Sequence, residues 1–176
     1  AVMAGAASIE HGTYLSPETL RLMKSKGVFL VPTIITIEDL KTPGGEYSNP
    51  TLELRGKFML PEVERTFKDA LAIGVKMATG ADNDYSALST TRVSLETEHF
   101  VRLGMTHFQA LRCATINGAE LLGLLDKTGS IEIGKEADLI LVPANPLEDI
   151  MALQDVLMVI SNGNVAVKRV PFGIAE

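Results

Sequence analysis

The chain has 176 residues, 46% of them hydrophobic, with a mean hydropathy of +0.20, enough to bury a sizeable core in one folded unit. A net charge of −6, a pI of about 5.1 and 5% aromatic residues, with no cluster of Lys and Arg, exclude the cationic footprint of a nucleic-acid-binding protein. The single cysteine, Cys113, excludes an internal disulfide framework and a cysteine-built zinc site, and the longest apolar run, residues 28–37, is broken by Pro32 and too short to span a bilayer.

Ser8-Ile9-Glu10-His11-Gly12 reads as a strand that ends in a histidine. Ser16 is placed to cap a helix with Pro17 at its first position, Glu18 in its first turn, and Lys24 and Lys26 near its negative end before Gly27. Val28-Phe29-Leu30-Val31 is continuously apolar, the signature of a parallel strand covered on both faces. The unit is β-α-β.

Residues 41–49 are rich in Pro and Gly and read as an insertion on the active-site side of the fold. From Pro61 the spacing of Val63, Phe67, Ala70 and Leu71 predicts a helix that stops at Gly74. Residues 75–79 form the next predicted strand and run into Gly80-Ala81-Asp82. A loop at 83–89 precedes a helix over about 90–103, closed by Gly104. Thr106 with Gln109, and Asn117 with Glu120, are capping signatures for two compact helices. The texture then changes to short strands at 130–133, 139–142, 156–160 and 165–167, the last two joined through Asn162-Gly163, a hairpin signal. The predicted organisation is α/β: a partial (β/α) barrel over residues 1–128 and part of an appended β-structure over 129–176.

Two side chains stand where such a barrel keeps its chemistry, at the C-terminal tips of strands: His11 and Asp82. An isolated histidine is more often structural than a ligand, and Gly-Ala-Asp-Asn-Asp would by itself suggest a turn. The functional reading makes Asp82 a carboxylate that binds a divalent metal and takes a proton from its water. Asp84, farther out on the loop, suits substrate contact or solvation. His99 and His107 lie on predicted helices and read as structural or exposed, Glu96 and Glu98 as a solvated helix face, and Cys113 as a small buried hydrophobe. No serine lies in a Gly-x-Ser-x-Gly context and no Gly-rich phosphate loop is present.

Gly129-Ser130-Ile131-Glu132-Ile133-Gly134-Lys135-Glu136-Ala137-Asp138-Leu139-Ile140-Leu141-Val142, followed by Asn145-Pro146-Leu147 and Ser161-Asn162-Gly163-Asn164-Val165, resembles the closing segment of the amidohydrolase superfamily, in its imidazolonepropionase-like and prolidase-like branch. Residues 110–123, Ala-Leu-Arg-Cys-Ala-Thr-Ile-Asn-Gly-Ala-Glu-Leu-Leu-Gly, look like that branch's last helical element, Ile9-Glu10-His11-Gly12 like its sixth barrel strand and Thr79-Gly80-Ala81-Asp82 like its eighth. The resemblance implies the last three units of a TIM-type (β/α)8 barrel followed by strands of a small β-sandwich. It implies a metal-dependent hydrolase, usually with one or two zinc ions, that opens amide, cyclic amide or peptide-like C–N bonds of a small-molecule or dipeptide-like substrate. Asp82 would be metal ligand and general base, and His11 a metal ligand or a contact to the substrate carbonyl.

Complete members also supply a His-x-His pair, often a carboxylated lysine, and a further histidine, and none of these occurs here. Two protein ligands are fewer than a catalytic zinc site uses. The expectation is therefore a chain that is inactive alone and stable only with an N-terminal half, another chain or a copy of itself. The alternative is a non-catalytic barrel piece that persists through self-association. Acidic, cysteine-poor composition fits a cytoplasmic protein.

Overall fold

A computed structural model describes residues 1–41, 49–82 and 92–169. Its first half is built on short parallel strands. β1 (Ser8–Glu10) pairs with β2 (Phe29–Val31), Ile9 opposite Leu30. A single parallel bridge joins Leu30 to Met77, through Leu30 N–H to the Lys76 carbonyl at 2.9 Å and Ala78 N–H to the Leu30 carbonyl at 3.1 Å. The strand predicted over 75–79 is thus reduced to a bridge, because Thr79 N–H turns away to the Cys113 carbonyl at 3.2 Å.

The connection from β1 to β2 is α1 (Pro17–Lys26), with the expected ends: Ser16 Oγ accepts from Thr19 N–H and Gly27 closes the helix in the left-handed region. Parallel neighbours require such a crossover. Leu30 points into the main core with Leu20 and Met23 of α1, while Phe29 and Val31 face the opposite side with Ala78 and Leu121. Burial on both faces is the reason β2 carries no polar residue.

The helix predicted from Pro61 begins eleven residues earlier. In α3 (Pro50–Ile73), Asn49 Oδ1 accepts from Thr51 N–H, Pro50 takes the first position, and Pro61 lies in the interior. Pro61 removes one helical donor, yet Met59 and Leu60 before it pack on the same core as Val63, Phe67 and Ala70 after it, so burial carries the helix through. Asn-Pro at 49–50 is the true start signal. The Phe67 ring meets Phe100 of α4 (Val93–Arg102) at 4.8 Å between centroids.

Helix α2 (Ile34–Leu40) follows β2 directly and crosses α3 at Gly56, where a Cβ would stand 2.8 Å from Lys41 N and 3.0 Å from Leu40 Cβ. Helix α5 (His107–Cys113) has the predicted capping box between Thr106 and Gln109. Helix α6 (Ile116–Leu121) does not have the predicted Asn117–Glu120 cap: it starts at Ile116 after Thr115, and the Asn117 amide donates to the Met77 carbonyl at 2.8 Å. Asn117 was worth more as a tether to the strand bridge than as a cap.

A three-stranded antiparallel sheet, β3 (Leu139–Leu141), β4 (Met158–Ser161) and β5 (Asn164–Lys168), follows in the order β3-β4-β5. Asn162 and Gly163 both have positive φ, 47° and 75°, as a two-residue hairpin of this hand requires. The short strand predicted at 130–133 does not form: Ile131 and Ile133 stand exposed, at 88% and 108%, and Lys135 Nζ bonds back to Ser130 Oγ at 2.6 Å to make a turn instead.

Candidate active site

The C-terminal ends of β1, β2 and the 76–78 segment lie side by side, and each is followed by a non-glycine residue in the left-handed region: His11 (φ 59°), Thr33 (φ 47°) and Asp82 (φ 46°). His11 N–H extends the β1–β2 ladder by one bond, to the Val31 carbonyl at 2.9 Å, before its backbone turns. Asp82 is delivered by Gly80-Ala81. A Cβ on Gly80 would stand 2.7 Å from Val31 Cγ1 and 3.0 Å from Thr33 Cγ2, so this strand end can approach β2 only without a side chain. The Ala81 carbonyl is then held by Thr36 Oγ1 at 2.7 Å.

His11 and Asp82 converge: Nε2 lies 3.9 Å from Asp82 Oδ2, with both side chains about half exposed. The other ring nitrogen, Nδ1, is 2.5 Å from Thr33 Oγ1. The Thr33 hydroxyl also reaches the Pro32 carbonyl at 2.8 Å; with its one proton placed there, its oxygen accepts from His11 Nδ1–H. In that arrangement the Nε2 lone pair lies on the Asp82 side. The sequence reading did not single out Thr33. Its signal was positional, since it follows its strand as His11 and Asp82 follow theirs.

An imidazole nitrogen and a carboxylate oxygen are zinc-type donors, and at a tetrahedral angle bonds of about 2.0–2.2 Å put two such atoms about 3.4 Å apart. The 3.9 Å separation is about 0.5 Å wider than that, so one ion held by both would draw the two side chains together. Among the described residues no group of three or more His, Cys, Asp or Glu converges to complete it. Asp84 and the 83–89 loop lie outside the described residues, as does most of the 41–49 insertion.

Glu96 is not on a solvated face. It is fully buried, and its carboxylate accepts from Ile34 N–H at 3.1 Å and Ile35 N–H at 2.9 Å, at the start of α2. Burial pushes its pKa up to about 8, against the hydrogen bonds from Ile35, Ile34 and Thr33. The signal was in the spacing, because Glu96 shares the stripe of Phe100 and Leu103 at i+4 and i+7. His99 is buried and structural: Nδ1 bonds the Leu95 carbonyl and Nε2 lies 2.5 Å from Glu38 Oε2. His107 Nδ1 lies 2.8 Å from the Leu147 carbonyl, away from the strand ends. Cys113 is buried beside Met105, and burial lifts its thiol to about 12, which leaves it inert as a nucleophile.

A model described as the amidohydrolase family matches residues 1–166. Ochratoxinase of Aspergillus niger is 31% identical over 156 residues, 88% of this chain and 32% of ochratoxinase. Imidazolonepropionase of Thermoplasma acidophilum is 42% identical over 71 residues, 39% of this chain and 17% of that protein. A crystal structure of a Xaa-Pro dipeptidase with methionine bound in its active site superposes with a TM-score of 0.81 at 36% identity, over 93% of this chain and 40% of that one. The chain thus spans less than half the length of each of these relatives.

Proposed function

Because the chain belongs to the amidohydrolase family, we propose that it supplies the last three β/α units of a TIM-type barrel and part of its appended β-structure, in a metal-dependent hydrolase of amide, cyclic amide or peptide-like C–N bonds. The observation that carries this reading is the convergence of His11 Nε2 and Asp82 Oδ2 at 3.9 Å, across the ends of parallel strands. Likeness to a Xaa-Pro dipeptidase points to dipeptide-like substrates.

A bound divalent ion, zinc by its donor types, supplies Lewis-acid polarisation of the carbonyl and an acidified water. His11 and Asp82 are the residues of this chain that would hold it. With Nδ1–H committed to Thr33, His11 Nε2 is an acceptor, which suits a ligand role and not a hydrogen bond to a substrate carbonyl. Asp82 takes the proton of the attacking water and passes it to the leaving amine. Asp84 is assigned to substrate contact. The remaining donors come from an N-terminal half or a further chain, and the compartment is the cytoplasm.

The test is hydrolysis of Xaa-Pro dipeptides, with zinc, by the protein that carries this chain. Asp82→Asn is expected to lower kcat by about 10²–10⁴-fold, the contribution of a positioned base, with KM nearly unchanged. A second reading, a non-catalytic piece held by self-association, is favoured by the two-donor set and by the exposed Ile131 and Ile133. Absence of both turnover and retained zinc after dialysis would select it.

A further inference from the structure

We propose that Glu96 is a positioning residue for His11, acting through the backbone of residues 33–35 and the Thr33 hydroxyl. The assignment rests on the reading of His11 as a ligand given above. Thr33 occupies the N-cap of α2, where a threonine ordinarily turns its hydroxyl onto the helix's own first N–H groups. It makes no such bond, because its backbone is left-handed at φ 47°, ψ 46°. Its hydroxyl instead bridges the Pro32 carbonyl and His11 Nδ1.

Two conditions must hold for that arrangement to persist. A β-branched residue in the left-handed region is strained and stays there only when its surroundings enforce it. The N–H groups of Ile34 and Ile35, deprived of the Thr33 cap, also need another acceptor in a buried setting. Glu96 meets both. Its carboxylate takes the two N–H groups with one oxygen each, so the backbone just after Thr33 is held from α4, 61 and 62 residues away in sequence. The fully buried Glu96 thus frees the Thr33 hydroxyl for His11 and sets the direction from which it acts.

The experiment is nitrogen-15 NMR of imidazole-labelled protein at a pH well above about 8, where Glu96 is a carboxylate, without metal or substrate, with His99 and His107 as internal references. In the wild type His11 is expected as the Nδ1–H tautomer, and the opposite tautomer overturns the proposal. In Glu96→Gln the carboxamide accepts only one of the two N–H groups. The His11 tautomer ratio is expected to move about fivefold toward Nε2–H, the worth of about one hydrogen bond, while His107 stays unchanged. In the Thr33→Val background the same substitution is expected to add nothing. A folded Glu96→Gln whose His11 tautomer does not move overturns the proposal. If Glu96→Gln does not fold, Glu96→Asp takes its place under the same criteria. Failure of both to fold makes Glu96 a folding residue only and equally overturns it. Because the tautomer is read without turnover, the expected shift together with an inert protein would reject the hydrolase reading alone.

Discussion

Asp82 and His11 adopt left-handed backbone that their residue types tolerate, whereas Thr33 does not do so readily, and the strain of about 1–3 kcal/mol at such a site falls on the residue that aims the histidine. Glu96 is the counterpart in the core. Its folded pKa, lifted by burial to about 8, lies above the ordinary carboxylate value. A group shifted in that direction contributes stability that is complete below its unfolded pKa and is lost as pH rises through the folded one. The unfolding free energy of the wild type is therefore expected to fall between about pH 4.5 and pH 8. Glu96→Gln, which cannot titrate, is expected to show a flatter profile by chemical denaturation at stepped pH. An equal slope in both proteins would show that Glu96 stays ionised in the fold.

At the scale of elements, α2 is short and depends on its neighbours. Glu96 of α4 holds its start, and Glu38 near its end meets His99 and Arg102 of the same helix. Burial pushes Glu38 up, but the hydrogen bonds from His99 and Arg102, with help from Lys41, outweigh it and hold the carboxyl at about 2. The α2–α4 tie is thus polar at both ends and independent of the apolar contact that α2 makes with α3. That contact relies on Gly56, whose missing Cβ lets Lys41 N approach. Gly56→Ala meets backbone at 2.8 Å, so its gain in helix propensity is outweighed, and a net loss of about 1–3 kcal/mol is expected from overpacking. Thermal unfolding of this variant against an exposed control, Lys57→Ala, checks it.

Across the whole molecule the parallel strands are short, and apolar side chains stand in solvent both on the antiparallel sheet, at Ile140 and Val165, and in the turn before it, at Ile131 and Ile133. Side chains of this kind are what a contact with another unit would cover. Among the described residues no helix is long and apolar enough to cross a membrane. On the self-association reading the purified chain is expected to sediment as more than one copy, and Ile131→Lys with Ile133→Lys to lower that mass. A monodisperse monomer before the substitutions rejects that reading and leaves the N-terminal half as the partner for this surface.

Elements whose signals are local were legible from the chain alone: the Ser16–Gly27 helix, the wholly apolar β2, the Thr106–Gln109 capping box, the Asn162-Gly163 hairpin, and the placing of His11 and Asp82 at strand ends. Each depends on backbone preference or periodicity within a few residues, so the sequence by itself determined it, and the family motifs did the same for ancestry. Tertiary structure decided the rest. Asn117 could have capped its helix but bonds Met77 instead, α3 continues through Pro61 because its two halves share one core, and residues 130–133 alternate like a strand yet find no pairing partner. Glu96 is the clearest case: a carboxylate is read as solvated until the fold brings the N–H groups of Ile34 and Ile35 to it. The stripe shared with Phe100 and Leu103 marks its burial, but hydrogen-bond partners more than 60 residues away leave no periodic trace, and only the assembled core makes a buried carboxyl group cheaper than two unpaired backbone donors.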